Sequence, residues 1–164
     1  MIYIPANENV CGQIMGREVA YQMGRGFTGA TSNISIAPGA DHIGEVQAWN
    51  VDTGKRVWTQ PFARSSNWGP MLTTAGGLVF SGGTADRLFR AFDATTGALL
   101  WQFPTNSGII GQPSSFTVGG RQYIAVQSGW GIDARGMQAR LNRLSPGDYA
   151  DVPEGGVVWV FGVK

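Results

Sequence analysis

One cysteine, one histidine and few charges narrow the field before any motif is read. Cys11 has no partner in the 164 residues, so an internal disulfide is excluded. His42 stands alone, with no second histidine, cysteine or carboxylate cluster at ligand spacing, so a histidine-based metal site is not expected. Only 14% of the residues are charged and the net charge is +1, which gives no electrostatic pull toward nucleic acid or a membrane surface. No apolar run approaches the ~18 residues a membrane span requires. The N-terminus lacks a basic segment followed by an apolar one, so no signal peptide is expected in this chain.

What is abundant is glycine, 25 residues of it, with short apolar runs between turns. That composition suits a turn-rich all-β chain better than a helical one. Two stretches carry one template. Residues 48–58 (AWNVDTGKRVW) and 91–101 (AFDATTGALLW) both read A-x-[ND]-x-x-T-G-x-x-x-W. Trp58 and Trp101 lie 43 residues apart, as do Asn50 and Asp93. A period in that range marks stacked or radial units. Each copy predicts strand, tight turn, strand. The Asn or Asp side chain bonds backbone two residues on, and glycine takes a positive φ at little cost.

In chain order, residues 1–5 predict a strand, and residues 13–44 read as an excursion loop with little regular structure. Strands are expected at 45–50 and 56–62, then at 71–74, 77–81, 88–92 and 99–103. Four antiparallel strands in about one period make a propeller blade. LTTAGG at 72–77 matches SFTVGG at 115–120, again 43 residues on. Residues 121–126 and 156–163 then supply further strands, with 156–163 expected to close the unit. Trp101 to Trp159 exceeds the period, which predicts an insertion within 133–153, with a short helix at 137–144. The chain therefore reads as one domain, residues 1–164, of about three blades. Closed propellers have ~4–8 blades. Three leave open edges, so either the chain oligomerises or it is the C-terminal part of a larger propeller. A strand that begins at the first residue favours the second expectation.

The repeat resembles the tryptophan-docking motif of the eight-bladed quinoprotein alcohol dehydrogenases, which carry pyrroloquinoline quinone (PQQ). IPANENVC (4–11), NWGPMLTTAGGLVFSG (67–82) and SGIIGQPSSFTVGGRQYIAVQSGWG (107–131) are also similar to that family, most to its methanol/ethanol branch. The resemblance covers nearly the whole chain but only the C-terminal part of the family's catalytic chain. It implies a partial β-propeller that helps oxidise a small primary alcohol, with electrons passing to a cytochrome c-type acceptor in the periplasm. It also implies Ca²⁺ or a lanthanide, whose ligands belong to earlier blades, as does the catalytic base. A homodimer at full length is compatible with it.

By the same resemblance, four residues of this chain are candidate cofactor contacts. Trp68 would lie near the quinone plane; an indole offers an apolar wall and one N–H. Gly129 and Trp130 sit where a strand runs out, and glycine lets backbone come close to a ligand. Asn7 would bond the quinone end through its amide, which both donates and accepts. Asn9 offers the same group nearby, and an ordinary Asx turn explains either equally well. Trp58, Trp101, Trp159, Asp93, Thr53 and Thr96 are expected to be structural. GRGFTG (24–29) matches a dinucleotide fingerprint, but no helix pattern follows it, so that reading fails. Asn33-Ile34-Ser35 is a formal glycosylation sequon of a frequent kind. A non-catalytic scaffold built from the same repeat is the competing function. The long segments around Trp68 and Trp130 favour the enzyme, because a scaffold needs the repeat but not those loops.

Overall fold

The computed structural model describes residues 1–26 and 28–162. The first blade is a three-stranded antiparallel sheet of order β1-β4-β5, from β1 (Ile2–Asn7), β4 (Gly44–Asn50) and β5 (Lys55–Phe62). The second has all four strands, β6 (Leu72–Thr73), β7 (Leu78–Ser81), β8 (Leu88–Asp93) and β9 (Leu99–Pro104), in sequence order. The third joins β10 (Ser114–Val118), β11 (Arg121–Ser128) and β12 (Val157–Gly162).

The two template copies occupy equivalent places. Ala48 pairs with Trp58 and Ala91 with Trp101, and the register shifts one residue later in both. Asn50 Oδ1 accepts from the Asp52 and Thr53 amides, at 2.9 and 3.1 Å. Asp93 Oδ1 accepts from the Thr95 and Thr96 amides, at 2.9 and 2.7 Å. The glycine that ends each turn has positive φ, 64° at Gly54 and 74° at Gly97. The sequence pattern thus encodes the turn through local hydrogen bonds.

The turn of the second blade is also the dock for the first. Trp58 Nε1 donates to Ala94 O at 3.1 Å, and Gln60 Nε2 donates to Gly97 O at 2.8 Å. The indole lies so close over Gly97 that a Cβ there would stand 2.6 Å from Trp58 Cδ2. Tyr3 OH donates to the same Ala94 carbonyl at 2.9 Å. Beneath this contact Val46, Ala48 and Trp58 are buried with Tyr3, Phe62 and Met71 against them. A larger core of Phe80, Phe89, Ala91, Ile109, Ile124 and Val126 fills the space between the second and third blades.

Three expectations need correction. Residues 13–44 are not an irregular loop: they include most of a hairpin, β2 (Val10–Gly16) paired with β3 (Ala30–Ile36), and the start of β4. The hairpin is hard to read because β2 is almost wholly exposed and its apolar residues do not alternate with a buried face. The helix in the 133–153 insertion is longer than expected and begins before it, α1 (Ile132–Leu144). Lastly, 156–163 does not close a blade. β12 pairs with β11, as β8 pairs with β7, so it is a third strand rather than a fourth. Val163 lies outside the described residues. Trp159 is accordingly not a counterpart of Trp101; its Nε1 donates to Ser128 Oγ at 3.0 Å within its own sheet.

The two additions to the repeat cover each other. Ile43, Leu141 and Tyr149 are buried together, with Val10, Ile34, Ile36 and Met137 packed around them. The hairpin and α1 thus share one small core at one end of the blades.

Trp101 has the blade position of Trp58 without its dock. It packs edge-on against Phe161, ring centres 5.1 Å apart, and remains 37% exposed. Trp58→Phe should therefore cost more stability than Trp101→Phe, by roughly 0.5–1.5 kcal/mol for the lost bond, since Tyr3 OH still satisfies the Ala94 carbonyl. Urea unfolding of the two variants beside the parent chain measures the difference.

Candidate functional site

Trp68 lies in the segment between β5 and β6, and Trp130 follows the end of β11. They are 62 residues apart in sequence, yet both join one apolar cluster with Ala85, Ala134 and Val152. Loops from neighbouring blades meet there because each blade turns its chain at the same end. α1 supplies Ala134 and closes one side of the cluster.

Backbone contacts place Trp130. Gly129 N donates to Gly108 O at 2.7 Å, and Ile109 forms an isolated parallel bridge with Gly129. The Trp130 ring then lies flush on Gly108, where a Cβ would collide with the six-membered ring. Trp130 is buried, and its Nε1 has no hydrogen-bond partner among the described residues. An unpaired buried N–H costs stability unless a ligand or water accepts from it. Beside it opens a cleft of about 490 Å³ lined by Ile110, Gln127, Gly129, Trp130, Glu154 and the intervening glycines. That volume lies within the range of small-molecule sites.

Asn7 stands at the end of β1, and both ends of its amide grip the backbone beside Trp68. Asn67 N donates to Asn7 Oδ1 at 2.8 Å, and Asn7 Nδ2 donates to Asn67 O at 3.2 Å. One amide hydrogen and one lone pair of Asn7 remain for another partner. The structure thus gathers Asn7, Trp68, Gly129 and Trp130 at one end of the blades. Only Gly129 and Trp130 line the cleft itself. Asn9 takes a different role, donating from Nδ2 to His42 O at 3.0 Å.

The arrangement brings polar groups and apolar surface together at one end of the blades. It offers an indole donor, close backbone at Gly129 and apolar walls. Among the described residues no group of three or more His, Cys, Asp and Glu side chains could hold a metal ion. Three residues that shape the site were not evident from the sequence. Gly108 and Gly83 show their purpose only through what packs on them. Asn67 is one polar residue in a polar loop, and adjacency to Trp68 was its one signal.

Residues 60–124 match the family described as PQQ, glucose/ethanol/alcohol dehydrogenase, beta-propeller domain. Quinoprotein alcohol dehydrogenase PedH of Pseudomonas putida is 36% identical over 98% of this chain and 26% of its own length. The chain is thus similar to quinoprotein alcohol dehydrogenases along nearly its whole length. Methanol dehydrogenase [cytochrome c] subunit 1 of Methylobacterium organophilum is 41% identical over 68% of this chain and 18% of that one. A solved europium-containing methanol dehydrogenase superposes with a TM-score of 0.78 at 33% identity, over 98% of this chain and 30% of the other. The chain therefore spans about a quarter of the length of the quinoprotein dehydrogenases it matches.

His42 sits beside this site in an unusual setting. Nδ1 lies 2.6 Å from an Asp41 carboxylate oxygen and Nε2 lies 3.1 Å from Glu45 Oε2. Two carboxylates can both be satisfied only if both ring nitrogens carry protons, as in imidazolium. The Asp41 hydrogen bond raises the His42 pKa above its ordinary value; partial burial opposes this, and Glu45 adds to the rise.

Two outcomes are expected. Because the folded value is raised, the stabilisation from His42 is fully present below about pH 6.5 and is lost as pH rises through the folded value. An NMR titration of the sole histidine should give a midpoint above that of a free histidine, and His42→Gln should remove this loss of stability with rising pH. Separately, Gly108→Ala should push the Trp130 ring from its seat and cost about 1–3 kcal/mol. Thermal unfolding reads the cost, and a changed environment of the Trp130 indole N–H resonance reads the displacement.

Proposed function

We propose that this chain forms one sector of a PQQ-dependent alcohol dehydrogenase, where it supplies part of the wall of the quinone pocket. The observation that carries the reading is the buried, unpartnered Nε1 of Trp130, a residue that lines a cleft and shares a cluster with Trp68. A scaffold would gain nothing from leaving a buried donor unpaired. A ligand carboxylate or quinone oxygen would satisfy it.

Bound PQQ, with Ca²⁺ or a lanthanide beside it, supplies the hydride acceptor for oxidation of a small primary alcohol to the aldehyde. The residues of this chain do the holding. Trp130 donates from Nε1 to an acceptor on the ligand rim. Gly129 lets backbone approach it. Trp68 presents an apolar surface that excludes water, and the spare amide hydrogen of Asn7 offers a second donor. The methanol/ethanol class of substrate, a cytochrome c-type electron acceptor and a periplasmic location are consistent with the relatives. Of these, methanol dehydrogenase [cytochrome c] subunit 1 carries the alcohol and the cytochrome in its name.

The base and the metal ligands are proposed to lie in other blades. Hydride transfer needs a base for the alcohol proton and a positive centre for charge developing on the quinone. Residues 1–164 purified alone, with PQQ and Ca²⁺ or a lanthanide, should therefore not reduce a dye acceptor from methanol or ethanol. A protein of the relatives' full length carrying this sector should do so. Metal-dependent turnover by the 164-residue chain would overturn this division of labour, and an inactive full-length protein would overturn the enzymatic reading.

A further inference from the structure

The Trp68 segment is held more firmly than a surface loop needs to be, and one residue does most of the holding. Asn67 is 3% exposed, and all four of its polar groups are engaged. Its backbone N–H and C=O take the two ends of the Asn7 amide. Its side-chain Nδ2 donates to Glu45 O on β4 at 3.0 Å. Its Oδ1 accepts from Gly69 N at 3.4 Å, bridging over Trp68. Asn67 thus ties the ends of two first-blade strands to the segment that carries Trp68.

The second blade grips the same segment from the other side. Trp68 N donates to Gly83 O at 2.9 Å, and Ala85 N donates to Ser65 Oγ at 2.8 Å. Packing leaves no slack on either side. A Cβ at Gly44 would stand 2.7 Å from Asn67 N, and one at Gly83 would stand 2.7 Å from Asn67 Oδ1. A segment so clamped has one position, and the Trp68 ring inherits it.

We propose that Asn67 is a positioning residue that sets the Trp68 indole in the wall of the PQQ pocket. This rests on the pocket reading above. Asn67 reaches no ligand itself: it is buried behind Trp68 and its polar atoms are spent within the protein. Truncating it frees Glu45 O and Gly69 N and lets the segment relax. The cost then falls on whatever Trp68 touches, because a wall displaced by about an ångström forfeits much of its contact.

The test is a double-mutant cycle in a full-length dehydrogenase carrying this chain, with PQQ as the titrated ligand and the apo thermal midpoint as a second readout. Trp68→Ala and Asn67→Ala should each raise the PQQ Kd, the second roughly tenfold or more. The double variant should bind no more weakly than Trp68→Ala, because both changes act through one indole. If Asn67→Ala does not fold, Asn67→Asp takes its place in the cycle; it keeps the shape and the acceptor but loses the donor to Glu45 O. A lowered thermal midpoint with an unchanged PQQ Kd in the Asn67 variant, while Trp68→Ala still weakens binding, would overturn the positioning role and leave the pocket intact. Multiplicative effects in the double variant would overturn it too, since Asn67 would then act apart from Trp68. An unchanged Kd in Trp68→Ala would bring down the pocket reading and this inference with it.

Discussion

The contact between the Trp58 indole and the backbone of the second blade's turn is the constraint on which the rest depends. Blades packed face to face share apolar surface, which is non-directional and would allow them to slide. The bond from Trp58 Nε1 to Ala94 O and the seat over Gly97 remove that freedom. Gln60 and Tyr3 add donors to the same turn. With this angle set, the loops at the other end of each blade arrive in fixed relation. The contact of the second blade with the third shows the alternative: Trp101 meets aromatic rings but no turn, and stays partly open to solvent.

The loop end follows a different logic, in which polar groups rather than apolar area decide position. Asn7, Asn67 and the Glu45 carbonyl form a chain of hydrogen bonds from β1 and β4 to Trp68. A buried polar network of this kind specifies one geometry when every member is satisfied. The one buried side-chain polar atom left unpaired among the described residues is Trp130 Nε1, on a residue that lines the cleft. Satisfaction everywhere else makes that exception informative.

Most of the blade architecture was legible in the residues because its causes are local. The Asn50 and Asp93 turns form from bonds two and three residues long, so the pattern of letters carries them. Strand bounds in the second blade differ from the expected ones by a residue or two. The hairpin β2–β3 was not legible, since β2 is almost wholly exposed and lacks the alternation that betrays a strand. Nor was the place of β12, because a strand's neighbour depends on which edge is open when the chain returns after α1.

The sequence by itself determined the repeat, its turns, the tryptophan at the end of each copy and the resemblance to quinone-dependent dehydrogenases. These are properties of short windows, where residue type and spacing act directly on the backbone. Only the tertiary structure decided which tryptophan docks, that Trp68 and Trp130 share a cluster, and that the Trp130 donor is unpaired. It alone showed Asn7 holding the backbone of Asn67. Each of these is a contact between residues tens of positions apart, and it exists only once the blades are set at their angle.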